Sequence, residues 1–398
     1  MRYFKTIRFF QFFPVLLCIF GCTSNIDHSV IEKNCEINNI ENTILLPPTN
    51  RKSFSSKFCL EIQSFINHTN IHSILINYRG KTELEIYKEG KDNPISKFYG
   101  LRFPWDGNTK FDENSLHDIR SASKSIVSIL YGIALDKEIV PKLESPVLLS
   151  FPDSDLGMYD SENKNKQSIT WNHLLTMSSG LKWNEWGTSY FTNDEIGLYF
   201  EKDIFRYVFE RPSEFKPGIR FNYNGGSTAI LAEILTKNSN QSLDELLLEW
   251  LFKPMGITKF EWVKDKQGRP LSFSGLRLRP RDMLKIGELI LHEGRWNQKQ
   301  LVSKKWIQDS TNIQIQTNIR MLTGDGGSID YGKHWWVGSS TIREKSFRWI
   351  SALGNGGQRI YIVPELKLVV VTTAGEYNTS EIGQKIGRLF NQILEEYR

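Results

Sequence analysis

The sequence is poor in several features, and each shortage excludes a class of protein. The longest apolar run covers residues 9–20, about 12 residues, and is broken by Gln11 and Pro14. A helix needs roughly 20 apolar residues to cross a bilayer, so no segment reads as a transmembrane helix. Cysteine is scarce: Cys18, Cys22, Cys35 and Cys59 are the four, with no C-x-x-C spacing. That excludes a disulfide-dense scaffold and a thiolate metal site. Only seven histidines occur, scattered, so no metal and no other cofactor is expected. Excess charge is small, 50 Lys and Arg against 45 Asp and Glu. Without Arg2, Lys5 and Arg8 near the N-terminus the balance is 47 to 45, or +2. Such a surface lacks the concentrated basic patch of a nucleic-acid binder. No G-x-G-x-x-G or P-loop motif is present, which argues against a nucleotide-binding α/β fold.

What is present is a globular composition, with 39% hydrophobic, 12% aromatic and 24% charged residues over 398 positions. That length suits one large domain or two ordinary ones. Residues 1–21 combine a basic start with a short apolar run, the pattern of a signal peptide. The run ends at Gly21-Cys22. This resembles a bacterial lipoprotein signal, which implies cleavage, lipidation of Cys22 and a membrane-anchored protein of the cell envelope facing the periplasm or cell surface. Residues 22–53 are polar, with a Pro47-Pro48 pair, and read as a tether. After export Cys35 and Cys59 can pair or stay as thiols; the sequence leaves both open.

The remaining chain, 54–398, reads as one domain. A helix is expected over 54–67 and a hairpin over 71–78 and 83–87, turning at Arg79-Gly80-Lys81-Thr82. Residues 121–135 are helical. Between about 140 and 295 helical stretches dominate, at 171–177, 195–209, 227–235, 243–252 and 281–292. Strands follow at 333–337, 347–353, 358–363 and 366–373, then an amphipathic helix over 381–397. Strands from both ends of the chain with helices between them predict an α+β fold, an antiparallel sheet flanked by helices with an all-α region inserted.

Three passages can carry chemistry. The first is Ser121-Ala122-Ser123-Lys124. A spacing of three along a helix puts Ser121 and Lys124 on one face. Lys124 can then accept the serine proton if burial or another cation lowers its pKa. The motif S-x-x-K also begins at Ser161, Ser179 and Ser213, but Ser121 alone opens an apolar helix, with SIVSILYGIAL following Lys124 directly, and a plain helix cap is the competing reading. The second passage is Phe221-Asn222-Tyr223-Asn224-Gly225-Gly226, where Tyr223 can relay a proton; a packed core tyrosine is its alternative. The third is Gly354-Asn355-Gly356-Gly357-Gln358. Glycines on an edge strand let a substrate backbone approach closely, and an N–H there can join that of Ser121 in an oxyanion hole. A bare hairpin turn is the alternative.

These motifs in this order resemble the serine β-lactamase and penicillin-binding-protein superfamily. The class C-type branch is most similar, with its esterases, D-aminopeptidases and 6-aminohexanoate-dimer hydrolases. The stretches HDIRSASKSIVS, ITWNHLLTMSSGL, PGIRFNYN, GLRLRPRDM and YGKHWWV share the likeness, which runs from about residue 70 to the C-terminus. It implies Ser121 as acylated nucleophile, Lys124 as its base partner and Tyr223 as a sharer of proton transfer. It also implies that Asn355, Gly356 and Gly357 match the family's Lys-Thr-Gly strand, and that the N–H groups of Ser121 and Gln358 form the oxyanion hole. Two positions depart. Gly225 replaces the Asn of Tyr-x-Asn, and neutral Asn355 replaces the Lys that helps hold a substrate carboxylate. The resemblance implies a serine hydrolase of a small-molecule or peptide ester or amide. A penicillin-binding-type D,D-peptidase, a β-lactamase and a non-catalytic relative that binds an envelope ligand are the alternatives.

Overall fold

The computed structural model describes residues 43–45, 54–96, 107–151, 164–186, 192–320 and 327–398. The expected signal segment 1–21, Cys22 and Cys35 lie outside the described residues. Cys59 is fully buried.

The central strands are apolar on both faces, and successive side chains go to opposite sides of the sheet. Nine strands of the described residues make one sheet: β1 (Thr43–Leu45), β2 (Ile71–Tyr78), β3 (Lys81–Lys88), β4 (Ile315–Ile319), β5 (Ile329–Tyr331), β6 (Trp336–Ile342), β7 (Lys345–Gly354), β8 (Gln358–Val363) and β9 (Leu368–Ala374). Their spatial order is β1-β3-β2-β9-β8-β7-β6-β5-β4, and neighbours pair antiparallel. The sheet is thus closed by strands from opposite ends of the chain, where β2 meets β9 and the hydroxyls of Ser73 and Thr373 lie 2.7 Å apart. β1 falls within the stretch read as a tether.

Ile360, Ile362, Val369, Val371 and Leu75 point to one core, while Tyr361, Val363, Leu368, Val370 and Ile76 point to the other. Helices α1 (Ser56–Asn67) and α5 (Glu381–Tyr397) cover the second face. The α5 spacing puts Ile382, Ile386, Leu389, Phe390 and Ile393 on one buried stripe. Each such side chain contributes about 1.5–3 kcal/mol by leaving water. Phe390 stacks on Tyr361 at 4.1 Å. The Ser55 hydroxyl, which caps α1, donates to Glu396 Oε2 at 2.7 Å and ties α1 to α5.

The first face carries the helical region. Helix α2 (Ser123–Asp136) runs through its centre, buried along nearly its whole length, with α3 (Gly225–Ser239) against it and α4 (Pro280–Leu291) on β8 and β9. The α+β expectation, with a helical insert, holds. Several boundaries differ. The helix expected over 195–209 is two, Asp194–Gly197 and Ile204–Phe209, because the Asp203 carboxylate caps the second by accepting from Arg206 N. The 243–252 helix turns into a π-helix at Leu247–Phe252. The strand expected from Lys333 begins at Trp336. Lys333 and His334 instead form a turn, and their carbonyls accept the hydroxyls of Ser128 and Ser125 at 2.7 and 2.6 Å. Strands β4 and β5 and the helix Lys304–Thr311 carried too weak a pattern to be expected. No described helix is long and apolar enough to cross a membrane.

Candidate active site

The nucleophile's position is set by the residue before it. Arg120 adopts φ +51°, a left-handed conformation that a side chain with Cβ disfavours by about 1 kcal/mol or more. Asp118 holds it there: one carboxylate oxygen accepts from Arg120 N at 3.0 Å and the other lies 3.1 Å from Arg120 Nε. The chain then makes a 3-10 turn, Arg120–Ala122, before α2 begins at Ser123. Ser121 therefore sits one turn ahead of the α-helix rather than inside it, and it is not the side-chain cap of α2.

Lys124 lies beside it. Its side chain is 1% exposed, and Nζ donates to Ser121 Oγ at 3.2 Å and to the Phe273 carbonyl at 3.1 Å. The ammonium also stands 4.6 Å from the ring centre of Tyr223. Tyr223 reaches this point because Asn224 caps α3, accepting from Ser227 N at 3.0 Å, and so fixes the loop that enters the helix. Tyr223 thus faces Lys124, and its hydroxyl interacts electrostatically with the ammonium. Trp186, 48% exposed, stacks on Tyr223 at 4.8 Å and on Trp336 at 5.7 Å.

Two acids complete the cluster. Glu185 Oε1 and Glu195 Oε2 lie 3.4 and 3.5 Å from Lys124 Nζ. This corrects the expectation for Lys124. Burial does push its pKa down, but Glu185, Tyr223 and Glu195 outweigh it and hold the amine above the usual lysine value. Lys124 is an ammonium at rest. Burial raises Tyr223 above the ordinary phenol value, against the pull of Lys124. Behind the lysine, His334 is kept neutral, its pKa driven to about 3 by burial and by Lys124.

Ser121, Tyr223, Glu185, Glu195, Gly354, Asn355 and Gly356 line one cleft of about 520 Å³. The glycine-rich passage is the turn between β7 and β8, which are interior strands, so the edge-strand expectation is corrected. Gly356 has φ +89°, and a Cβ there would fall 2.3 Å from the Tyr377 ring, so the turn requires glycine. Gly357 packs against Ala374, and Gln358 turns a buried side chain to the Ala374 carbonyl at 2.5 Å. The site thus gathers Ser121, Lys124, Tyr223, Asn355 and Gly356; the side chain of Gln358 and the Gly357 position face inward.

Sequence reasoning missed Glu185, Glu195, Trp186, Trp336 and Arg359. Glu185 and Glu195 lie on a loop and a one-turn helix that only the fold brings to Lys124. The Gly at position 225 was the one available signal, since its missing side chain leaves the space they fill. Arg359 is buried in the cleft, donating through Nη1 to the Gly354 and Gln358 carbonyls at 2.5 and 2.8 Å. Arg120 also lines the cleft, paired with Asp118.

A family model described as Beta-lactamase matches residues 97–384. A search of curated proteins finds no match. Among solved structures, the chain is similar to one from Bacillus anthracis assigned as a 6-aminohexanoate-dimer hydrolase (21% identity, TM-score 0.63, covering 84% of this chain and 82% of that one). It is also similar to the octameric penicillin-binding protein homologue from Pyrococcus abyssi (18%, 0.58, 84% and 76%). A third is the D-amino acid amidase from Ochrobactrum anthropi SV3 (13%, 0.57, 85% and 99%). At these identities the structural likenesses establish the shared fold.

Proposed function

Because the chain belongs to the β-lactamase family, we propose that it is an exported, lipid-anchored serine hydrolase that cleaves an ester or amide through an acyl-enzyme on Ser121. The observation that carries this reading is the 3.2 Å contact between Lys124 Nζ and Ser121 Oγ in a cleft shared with Tyr223. A serine hydroxyl needs a partner that removes its proton as it attacks, and a buried ammonium beside it stabilises the alkoxide that forms.

In acylation Ser121 Oγ bonds to the acyl carbon and the carbonyl electron pair moves to oxygen. The N–H groups of Ser121 and Gln358 receive that oxyanion. The Ser121 proton leaves through Lys124 as Oγ attacks; when the carbonyl re-forms and the bond to the leaving group breaks, Tyr223 passes its proton to the leaving amine or alcohol and regains one from Lys124. Water then attacks the acyl-enzyme by the same route and restores Ser121. The aromatic surface of Trp186, Tyr223 and Trp336 suits an apolar acyl or leaving group.

A second reading, a D,D-peptidase or β-lactamase acting on a carboxylate-bearing substrate, is favoured by one feature, the buried Arg359 in the cleft wall. Fluorophosphonate labelling located by mass spectrometry tests the first proposal: Ser121 should be the modified residue, and labelling elsewhere or nowhere overturns it. Hydrolysis of short acyl esters, D-amino-acid amides, linear amide oligomers and a chromogenic cephalosporin then separates the two readings. Stable acylation by a labelled penicillin would favour the second.

A further inference from the structure

The glycine at position 225 is where this chain departs from the Tyr-x-Asn of its family, and the structure shows what occupies the vacated space. A Cβ at Gly225 would lie 3.0 Å from Glu195 Oε2 and 3.2 Å from Glu185 Oε2. The two carboxyl groups pack against the bare backbone at the start of α3, and both reach Lys124. They are not equivalent. Glu185 Oε2 accepts from Gly225 N at 2.7 Å and from Trp183 Nε1 at 3.0 Å. The first of those donors is the opening N–H of the 15-residue α3, and together the two hold the Glu185 carboxyl in place. The carboxyl of Glu195 faces Lys124 and Glu185, and two acids in contact do not both ionise cheaply. Glu195 therefore carries the proton of the pair. Burial and Glu185 raise it to about 8, against the pull of Lys124.

We propose that Glu195 receives the Ser121 proton during attack, reached through Lys124, and gives it back by the same route when the leaving group departs, with Glu185 holding Lys124 in line. The inference rests on the serine hydrolase reading. An ammonium at rest cannot take a proton unless it gives one up, and the neighbour placed to receive it is a carboxylate 3.5 Å away. In the step, the Ser121 O–H bond breaks and its proton goes to Lys124 Nζ. One Lys124 N–H proton passes to ionised Glu195, and the oxygen electron pair forms the bond to the acyl carbon. Lys124 ends as it began, an ammonium. A carboxyl titrating near the working pH suits this role. Glu195 acts through Lys124 and touches no substrate atom in this step.

Other charges facing the pair are accounted for. From α2 comes Lys124, from the loop before α3 comes Tyr223, and His334 behind Lys124 is neutral. Next to Glu195 in sequence, Asp194 is ion-paired with Arg211 at 3.1 Å.

The test is the rate at which a fluorophosphonate modifies Ser121 between about pH 6 and pH 10, which reads serine reactivity without knowledge of the natural substrate. In this reaction the serine oxygen bonds to phosphorus and fluoride leaves. The wild-type rate should rise with pH, with its midpoint near 8. Glu195→Gln should lose that rise and fall by about 100-fold or more at alkaline pH. Glu195→Asp, which keeps an acid, should retain the rise with a shifted midpoint. Circular dichroism and thermal melting check that each variant is folded. A flat wild-type profile, a rise that persists in Glu195→Gln, or a Glu195→Gln rate within about threefold of wild type would each overturn the relay. Should Glu195→Gln not fold, an unshifted midpoint in Glu195→Asp does the same. If Ser121 labels normally in these cases, the serine hydrolase reading stands and the relay alone fails. If wild-type Ser121 does not label, the hydrolase reading fails and the relay with it.

Discussion

Asn355 and Asn378 hold each other in a reciprocal clasp. Asn355 Nδ2 donates to Asn378 Oδ1 at 2.7 Å, and Asn378 N donates to Asn355 Oδ1 at 2.8 Å. The clasp joins the β7–β8 turn, which lines the cleft, to the segment leading into α5. Asn355→Ala and Asn378→Ala should each destabilise by about 1 kcal/mol. Asn355→Ala removes both bonds and Asn378→Ala only the one its side chain accepts, so the losses overlap and the double variant should fall short of their sum. Urea denaturation of the four proteins measures this, and additive losses would show that the clasp contributes no coupling.

Ser121→Ala should abolish turnover while the fold persists, since loss of a nucleophile costs at least about 10³-fold. Lys124→Ala should be nearly as damaging, and Tyr223→Phe should also slow the enzyme strongly. Ser121, Lys124 and Tyr223 are in contact and act on one proton, so their losses should not multiply. Retention of more than about 1% of ester hydrolysis in Ser121→Ala would remove it from the role of nucleophile.

Gly225→Ala should separate stability from activity. Alanine suits a helix better than glycine by up to about 1 kcal/mol, so the melting temperature should hold or rise. Its Cβ would press on the tips of Glu195 and Glu185 and displace them by a few tenths of an ångström. Ester hydrolysis should then fall by about tenfold or more, because small misplacements in a relay are costly. An equally active variant would show that the fit around Gly225 does not matter to the site.

Stability should decline as pH rises. Glu195 titrates at about 8 in the folded protein against 4.5 ordinarily, and Glu233 at about 7, raised by burial. Between those limits the folded state binds more protons than the unfolded one, so protonation favours folding. That contribution is complete below about pH 4.5, drains away through pH 7 to 8, and is gone above. Glu195→Gln should flatten part of the slope. Urea midpoints at mildly acidic and alkaline pH, for both proteins, measure it; an unchanged slope in the variant contradicts the assignment of the proton to Glu195.

Cys22→Ala should release the protein from the membrane fraction or leave its precursor uncleaved. The reason is the Gly21-Cys22 pair that ends the apolar run. Fractionation and N-terminal sequencing test it: unchanged attachment with a mature N-terminus elsewhere than Cys22 overturns lipidation there.

What the sequence made legible was local or periodic. The short apolar runs of β8 and β9 and the stripe of α5 announced themselves, because each side chain's face follows from its own position. Ser121 and Lys124 were legible for the same reason, being three residues apart. Glu185 and Glu195 lie 61 and 71 residues from Lys124 on irregular chain, and no spacing rule reaches that far. The charge state of Lys124 was missed with them, since a buried amine is lowered or raised according to neighbours that only tertiary structure supplies. The β7–β8 turn was seen, but its place inside the sheet depends on strands from both ends of the chain.

That joining of the two ends has a consequence for the order of events during synthesis. β2 finds its inner neighbour only in β9, with Ser73 and Thr373 separated by 300 residues. At about 5–20 residues per second, roughly 15–60 s pass between the making of the two. Over that interval the hairpin of β2 and β3 has one unpaired edge, and the sheet's centre does not exist. Such distant pairing also makes folding slow once the chain is complete. The central sheet therefore stays incomplete until almost all of the chain has been synthesised.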